Sequence, residues 1–464
     1  MNVMNKLLNN SLLKAGRNLV ISIHQTFPNT QTYIVGGCVR DLIMGNQPHD
    51  VDIATNVDIE KLIESYKTVD IGKSKDFGIV IVFFEGYEFE VAHFREEFGS
   101  NDNRHPAKVK QINDFAIDTS RRDFTINSLG IDVDGDIIDY HGGVKDIQNQ
   151  IVKGIGIPSK RFEEDALRII RAARFAAKYN FEIDSDTIIA MRQKRELVKN
   201  LSVERIRDEF MKVAVNGKAL VKFLRILIAV GVLDIFLPEI NQYRGFCHNP
   251  KFHPEGGLYE HTMSALNVSH SNNPLTNIAI LFHDVGKMVT QTFEDGHVCY
   301  KGHAQKSFEM FMDIGKRFKF SNHQIESMGF AIQNHMIAHK FNEMKKSKII
   351  QIRQNPNFNI LKEVTRADDE ARLHLFNEND FKNKMARIEE IFKTFGEQKE
   401  FESRIKSLIN GNMVINIAQK IGIDIQGSQI GHIIHQVREV IIEKEFNITF
   451  QDTSRMVKKL IHQI

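Results

Sequence analysis

The sequence predicts an α+β head with a small mixed or antiparallel sheet, followed by an all-α body. Three observations carry that reading. Short β-rich runs punctuated by Gly and Asn are confined to residues 32–139. Beyond residue 155 such runs give way to long helical periodicities that continue to the end of the chain. The length, 464 residues, suggests about three domains at roughly 150 residues each.

The elements follow in order. Residues 7–27 read as one amphipathic helix, with Leu8, Leu12, Leu13, Leu19, Val20 and Ile23 near helical spacing. Strands are expected at residues 33–35, 51–53, 79–84, 89–93 and 131–140. A helix over residues 161–179 opens the body, and Gly245, Pro250 and Pro254 mark a boundary near residues 243–255. The expected domains are a head over 1–150, a helical neck over 151–245, a helical domain over 246–375 and a helical tail over 376–464.

Composition narrows the function classes. Lys plus Arg number 61 against 59 Asp plus Glu, a net charge of +2, which excludes a strongly basic nucleic-acid coat but leaves room for a local basic face. Only 29 Gly and 9 Pro exclude collagen-like and low-complexity classes. Cys38, Cys247 and Cys299 are far apart and form no C-x-x-C, so neither a disulfide framework nor zinc-finger spacing is present. A reducing, cytoplasmic location is expected. No apolar stretch approaches the ~18 residues that span a bilayer, and the N-terminus lacks the pattern of a signal peptide, so no membrane partner is expected.

The first chemical signal is Tyr33-Ile-Val-Gly-Gly-Cys-Val-Arg-Asp, followed by His49-Asp-Val-Asp-Ile. Gly36 and Gly37 at a strand-to-helix turn let backbone N–H groups approach a phosphate, and Arg40 lies one turn on. Asp50 and Asp52, two apart in a β-rich run, face the same way and repel unless a cation intervenes. Mg²⁺ accepts such oxygens together with substrate phosphates, and a pair of ions would activate a hydroxyl and stabilise departing pyrophosphate. Glu90, alternating with Phe89 and Val91, is the candidate third carboxylate; a solvent-facing strand glutamate is the alternative.

These residues resemble the first motif of the class II CCA-adding tRNA nucleotidyltransferase and bacterial poly(A) polymerase family. Three further matches follow in order: Arg121-Arg-Asp-Phe-Thr-Ile-Asn127, Asp139-Tyr-His-Gly-Gly-Val-Lys-Asp146, and Glu164-Asp-Ala-Leu-Arg-Ile-Ile-Arg-Ala-Ala-Arg174. The resemblance covers at least residues 32–240. It implies that Arg122, Asp123 and Asn127 meet the nucleotide. It implies that Asp165 and Arg168 hydrogen-bond the base, and that Arg171 and Arg174 hold the triphosphate or shape the pocket. A carboxylate accepting from an exocyclic amine, with Arg donating to ring acceptors, would admit C and A and reject U and G. Unaided, the spacing places Arg168, Arg171 and Arg174 on one helix face, with Leu167, Ile170 and Phe175 on the buried side. The polar run from Phe94 to Pro106 resembles the family's mobile loop.

A second constellation lies in the body. Phe282-His-Asp-Val-Gly-Lys287 is accompanied by His261, His303, His335 and Asp368. Imidazoles and carboxylates spread over several helices can converge in a bundle core. The order resembles HD-type metal-dependent phosphohydrolases. That resemblance implies that His261, His283, Asp284 and Asp368 bind the principal metal, Mg²⁺, Mn²⁺, Ni²⁺ or Co²⁺. His303 and His335 would serve a second metal or the phosphate. His253 reads as a residue of the turn entering this domain, with phosphate or metal contact as the alternative. Lys382, Lys384, Arg387 and Lys393 of the tail could face an RNA backbone, with solvated helix faces the simpler reading.

Together the resemblances imply template-independent addition of CCA to tRNA 3′ ends from CTP and ATP with Mg²⁺, plus phosphatase or phosphodiesterase activity on tRNA 3′ ends. The close rivals are a poly(A) polymerase and an enzyme restricted to the CC or the A step. From another class, the rival is a phosphohydrolase whose head only binds RNA.

Overall fold

The computed structural model describes residues 3–69, 78–100, 106–248, 253–294, 297–340, 344–395 and 398–463. The chain divides into two compact units: Met1–Gln242 with Arg317–Lys319, and Tyr243–Lys316 with Phe320–Ile464.

The head strands are β1 (Thr32–Val35), β2 (Asp52–Thr55), β3 (Thr68–Val69), β4 (Ile79–Phe84), β5 (Tyr87–His93), β6 (Arg95–Ser100), β7 (Pro106–Gln111), β8 (Gly130–Ile131) and β9 (Ile137–Ile138). Seven form one sheet in the order β3-β4-β5-β2-β1-β8-β9. The β2–β5 pairing is parallel and the other described ladders of that sheet are antiparallel. The mixed sheet expected from sequence is therefore present. Ile34, Ile53, Val80, Val82, Phe89 and Val91 are buried, as apolar strand residues facing a core should be.

Several elements differ from the expectation. The first helix is two, Met4–Leu8 and Ser11–Thr26. Asn10 between them is extended, and its side chain accepts the Leu13 N–H at 3.1 Å, so the second helix starts on its own cap. The strand expected over 131–140 is a tight hairpin of β8 and β9. Asp132 Oδ1 accepts from the N–H groups of Asp134 and Asp136, and Gly135 supplies a φ of +77°. The helix over 161–179 is interrupted. One helix ends at Glu164 and the next runs Leu167–Tyr179, because Asp165 takes an extended backbone and caps the Leu167 N–H at 3.0 Å. Part of the expected mobile loop is regular. β6 and β7 pair antiparallel from Arg95–Gln111 onward, while residues 101–105, including Asn103, Arg104 and His105, lie outside the described residues.

Strands also persist past residue 155. Glu182–Ile183 pairs in parallel with Ile151–Val152, and Thr292–Glu294 with His297–Cys299 forms an antiparallel pair. Two- and three-residue strands give too short an alternation to read from sequence.

The second unit is otherwise helical. One of its cores joins Ile350 to Phe401, Ile405, Val414, Val437, Ile441 and Val457, drawing on five helices between residues 346 and 461. Lys382 and Lys384 of helix Glu378–Phe395 pair with Glu378 at 3.3 Å and Asp380 at 2.7 Å, one turn away. The described residues contain no helix long and apolar enough to cross a membrane.

Candidate active and metal sites

In the head, the sequence runs from β1 through a glycine turn into helix Gly37–Ile43. Gly36 has φ +81°, and a Cβ there would lie 3.3 Å from Asp52 Oδ2. The turn thus needs glycine twice, for its backbone and for the approach of the carboxylate. Val35 pairs with Asp52 across β1–β2, and Asp52 pairs with Glu90 across the parallel β2–β5 ladder. Glu90 therefore stands beside Asp52, where the sequence reading put a third carboxylate. Asp50 lies just before β2 rather than on it, and is exposed.

Asp52 feels both of the other acids. Burial, then Asp50 and Glu90, push the Asp52 carboxyl up to about 6, against the counter-pull of Arg122. A carboxylate held up by like charges fits a cation site, since a divalent ion removes the repulsion.

Arginines surround this site, and the structure divides them. Arg122 donates to Asp118 Oδ2 at 3.2 Å and to the Asn127 carbonyl at 3.3 Å. Arg40 is not presented to solvent. It is buried, donates to Asn127 Oδ1 and Asp41, and sits 4.7 Å over the Tyr179 ring. Asp123 is buried and accepts from Arg171 at 2.6 Å and from Asn127 at 3.0 Å. Burial works against its charge, but Arg171 and Asn127 hold its carboxyl below the usual range. Gly143 packs against the Thr125 carbonyl so tightly that a Cβ would come within 2.2 Å, and Asp139 accepts three backbone N–H groups of the same turn at 2.9–3.2 Å. That motif is a brace behind Asn127.

The base-reading pair is also engaged. Asp165 faces Arg205 at 3.0 Å, and Arg168 donates to Glu164 and to the Arg121 carbonyl, both at 2.8 Å. Arg174 does not share the open face with Arg168 and Arg171. It is buried against Glu209, because the helix turns this residue into the neck core. Sequence reasoning missed Arg205 and Glu209. Both lie 35 residues or more from their partners, and no local spacing signals such pairs.

In the second unit, helix Leu258–Val268 carries His261. His283 closes helix Pro274–Phe282, and Asp284 follows it. His303 opens helix His303–Arg317, His335 closes Asn322–Asn334, and Asp368 lies on Phe358–Ala371. All six converge. His261 Nε2 lies 3.0 Å from Asp368 Oδ1; His283 Nε2 and His303 Nε2 lie 3.3 Å from Asp284 oxygens; His335 Nε2 lies 3.7 Å from Asp284 Oδ1. Gly286 makes this possible, since a Cβ there would collide with the His303 carbonyl at 2.4 Å.

The imidazoles are oriented from behind. His283, His303 and His335 each direct Nδ1 to the carbonyl three residues earlier, at 2.7–2.8 Å. A carbonyl only accepts, so Nδ1 carries the proton and a neutral ring turns its Nε2 lone pair inward. There it meets carboxylate oxygens, acceptor against acceptor. His283 Nε2 and Asp284 Oδ1 are buried without a hydrogen-bond partner among the described residues, and Asp284 Oδ2 has only the Lys287 ammonium. The site therefore demands positive charge. Burial opposes a charge on His283, yet Asp284 and Asp368 outweigh it and hold the imidazole up to about 10. Burial and the neighbouring His283 push His335 down to about 3. Lys287, 2.6 Å from Asp284, supplies further charge. A divalent ion fits this donor set and would displace the His283 proton. His253, Lys287, Tyr300, His339 and Arg372 complete the lining of a cavity of about 340 Å³ beside it.

Residues 32–153 match the family described as "Poly A polymerase head domain", and residues 180–244 match "Probable RNA and SrmB- binding site of polymerase A". The CCA-adding enzyme of Lactobacillus johnsonii is 38% identical over 228 residues, 48% of this chain and 55% of the relative. That of Bacillus pumilus is 41% identical over 207 residues, 44% of this chain and 50% of the relative. The chain thus matches about half the length of these curated relatives. The Bacillus stearothermophilus CCA-adding enzyme solved with CTP superposes with a TM-score of 0.69 at 19% identity, covering 98% of each chain. The Thermotoga maritima enzyme solved with tRNA gives 0.54 at 18% identity, covering 100% of this chain and 98% of that one. The likeness of sequence thus lies in a poly A polymerase head over residues 32–153 and an RNA-binding segment over 180–244, and at those identities the likeness to the solved structures is one of fold.

Proposed function

We propose that the chain adds CCA to tRNA 3′ ends from CTP and ATP without a nucleic-acid template. The observation that carries this reading is the carboxylate group on the central strands: Asp52 at the start of β2 in register with Glu90 of β5, beside Asp50, with Gly36 closing on Asp52. The relatives' names, CCA-adding enzyme, and the CTP and tRNA of the solved neighbours support the substrates. Asp50 and Asp52, with Glu90 beside them, would hold Mg²⁺. Bound there, the metal supplies acidification of the attacking hydroxyl and stabilisation of pyrophosphate. Gly37 and Arg122 lie next to the carboxylates for triphosphate or ribose. Arg40 and Asn127 support the turn from beneath, and Asp123 with Arg171 positions the adjoining helix. Asp165 and Arg168 read the base after exchanging Arg205 and Glu164 for it.

The deciding assay offers labelled CTP and ATP to tRNA lacking CCA. Terminal CCA followed by arrest supports the reading. Long A tails with CTP ignored would replace it with a poly(A) polymerase, and incorporation that survives Asp50→Ala with Asp52→Ala would remove the metal site.

A second activity is favoured by the buried His/Asp cluster and its unpaired acceptors. His261, His283, Asp284 and Asp368, with His303 and His335, would hold one or two divalent ions of the Mg²⁺, Mn²⁺, Ni²⁺ or Co²⁺ type. The chemistry supplied is a metal-acidified water for attack on phosphorus in damaged tRNA 3′ ends. Absence of both ring opening of 2′,3′-cyclic substrates and phosphate release from 2′-phosphorylated ones, with every one of these ions, would refute it. The proposed domains are the head over 1–150, neck over 151–245, metal domain over 246–375 and tail over 376–464. Free thiols at all three cysteines favour a cytoplasmic setting.

A further inference from the structure

We propose that His248, His253 and Glu255 form a cation site of their own, backed onto His261, suited to a borderline dication such as Zn²⁺, Co²⁺ or Ni²⁺. One ligand atom from each of His248, His253, Glu255 and His261 lies within 4.8 Å of all the others. The group is distinct from the His283–Asp284 cluster because His261 faces the two with opposite nitrogens. Its Nε2 meets Asp368 at 3.0 Å, while its Nδ1 meets Glu255 Oε1 at 2.6 Å.

Hydrogen bonds within the group leave it incomplete. Glu255 Oε1 serves both His261 Nδ1 and His253 Nδ1, the latter at 2.9 Å. Glu255 Oε2 and His248 Nδ1 are buried and have no partner among the described residues. The Glu255 side chain is only 3% exposed, so its free oxygen has lost water without replacement. Leaving such a group unsatisfied costs about 1–3 kcal/mol, more for a charged one. One cation between Glu255 Oε2 and the imidazoles satisfies both orphans while Oε1 keeps His261. Two imidazoles and a carboxylate suit zinc, cobalt or nickel better than magnesium.

Neighbouring groups allow it. His248 and His253 stack with ring centroids 4.1 Å apart. Lys287 Nζ lies 3.4 Å from His248 Nε2 and 2.6 Å from Asp284, so its contact with His248 is on Nε2 and leaves the Nδ1 edge clear. The two flanks meet: Leu258 donates to the Phe246 carbonyl at 2.9 Å, and a Cβ on Gly257 would meet that carbonyl at 2.6 Å.

The test titrates Co²⁺ into the full, chelator-stripped chain, following heat and visible absorption. Wild type should bind one more equivalent than His253→Asn or His248→Asn, with metal-free melting unchanged in at least one variant. His283→Ala should lose a different equivalent and keep this one. Equal stoichiometry in wild type and both histidine variants overturns the proposal. So does a Glu255→Gln variant that binds the same number of ions equally tightly, since Glu255 would then only orient His261. If His283→Ala leaves Co²⁺ binding intact while His253→Asn lowers it, the phosphohydrolase reading fails and this one stands.

Discussion

Replacing Asp52 by Asn should stabilise the metal-free protein while abolishing nucleotide transfer. The Asp52 carboxyl moves from 3.8 to about 6, driven first by burial, then by Asp50 and Glu90. That difference corresponds to roughly 3 kcal/mol between protonation states. Asp52 is partly open to water, and solvent screening reduces the share expressed as stability to about 1–2 kcal/mol. The sign follows from proton binding. Between pH 3.8 and about 6 the folded state holds the proton that the unfolded chain has released. Stability therefore falls as pH rises through that window, and at pH 7 the folded state carries the whole cost. Asn at this position is neutral and avoids it. Denaturant unfolding of the full chain in EDTA at pH 7 should show the head transition at higher denaturant for Asp52→Asn than for wild type, with the two converging below pH 4. Mg²⁺ should raise the wild-type midpoint and leave the variant unmoved. A variant less stable than wild type in EDTA, or one stabilised equally by Mg²⁺, would refute an acid cluster built for a cation.

Three further outcomes rest on separate contacts. Gly36→Ala forces a side chain into a φ of +81° and towards Asp52, costing about 1–3 kcal/mol and most of the transfer rate; thermal melting and incorporation should both fall. Asp123→Asn should destabilise by about 2 kcal/mol at pH 7, because it removes a charged hydrogen bond to Arg171. Its folded carboxyl lies below 3.8, so that stability is complete above the unfolded value and is lost as pH falls through the folded one; wild type and variant should converge in acid unfolding. Arg174→Met leaves Glu209 buried with only Lys212, at 2.8 Å, and should cost about 3 kcal/mol, whereas Arg174→Met with Glu209→Leu should recover most of it in chemical denaturation.

Legibility followed the range of the interaction. The Gly36 turn and the Asp50-x-Asp52 pair were readable because their geometry is set within a few residues. Glu90 was readable because strand alternation fixes its face, although the register that brings it to Asp52 is a long-range fact. The breaks at Asn10 and Asp165 were missed because the apolar periodicity runs through them. Each polar side chain caps the following helix without disturbing the pattern on either side. His253 read as a turn residue because its hydrogen-bonded carboxylate, Glu255, lies only two positions away. Its relation to His261 appears only when the turn folds back on the helix.

On the arginine helix, spacing gives the face and long-range contacts give the partners. Arg168, Arg171 and Arg174 share one face by spacing, and the family resemblance implies that Arg171 and Arg174 hold the triphosphate or shape the pocket. In the fold each guanidinium answers a different acid: Glu164, Asp123 and Glu209. Arg171 commits both Nε and Nη2 to Asp123 Oδ2, at 2.9 and 2.6 Å. A phosphate could take that contact only by leaving Asp123 Oδ2 buried and without its cation, while Oδ1 keeps Asn127 and the Phe124 N–H, and that loss costs more than a new ion pair at a partly open site returns. Arg171 is thus better placed to hold Asp123 than to grip substrate. Arg174 is shut away by Glu209, while Arg122, with one carboxylate partner and Asp52 in electrostatic reach, is the guanidinium left to answer an incoming phosphate.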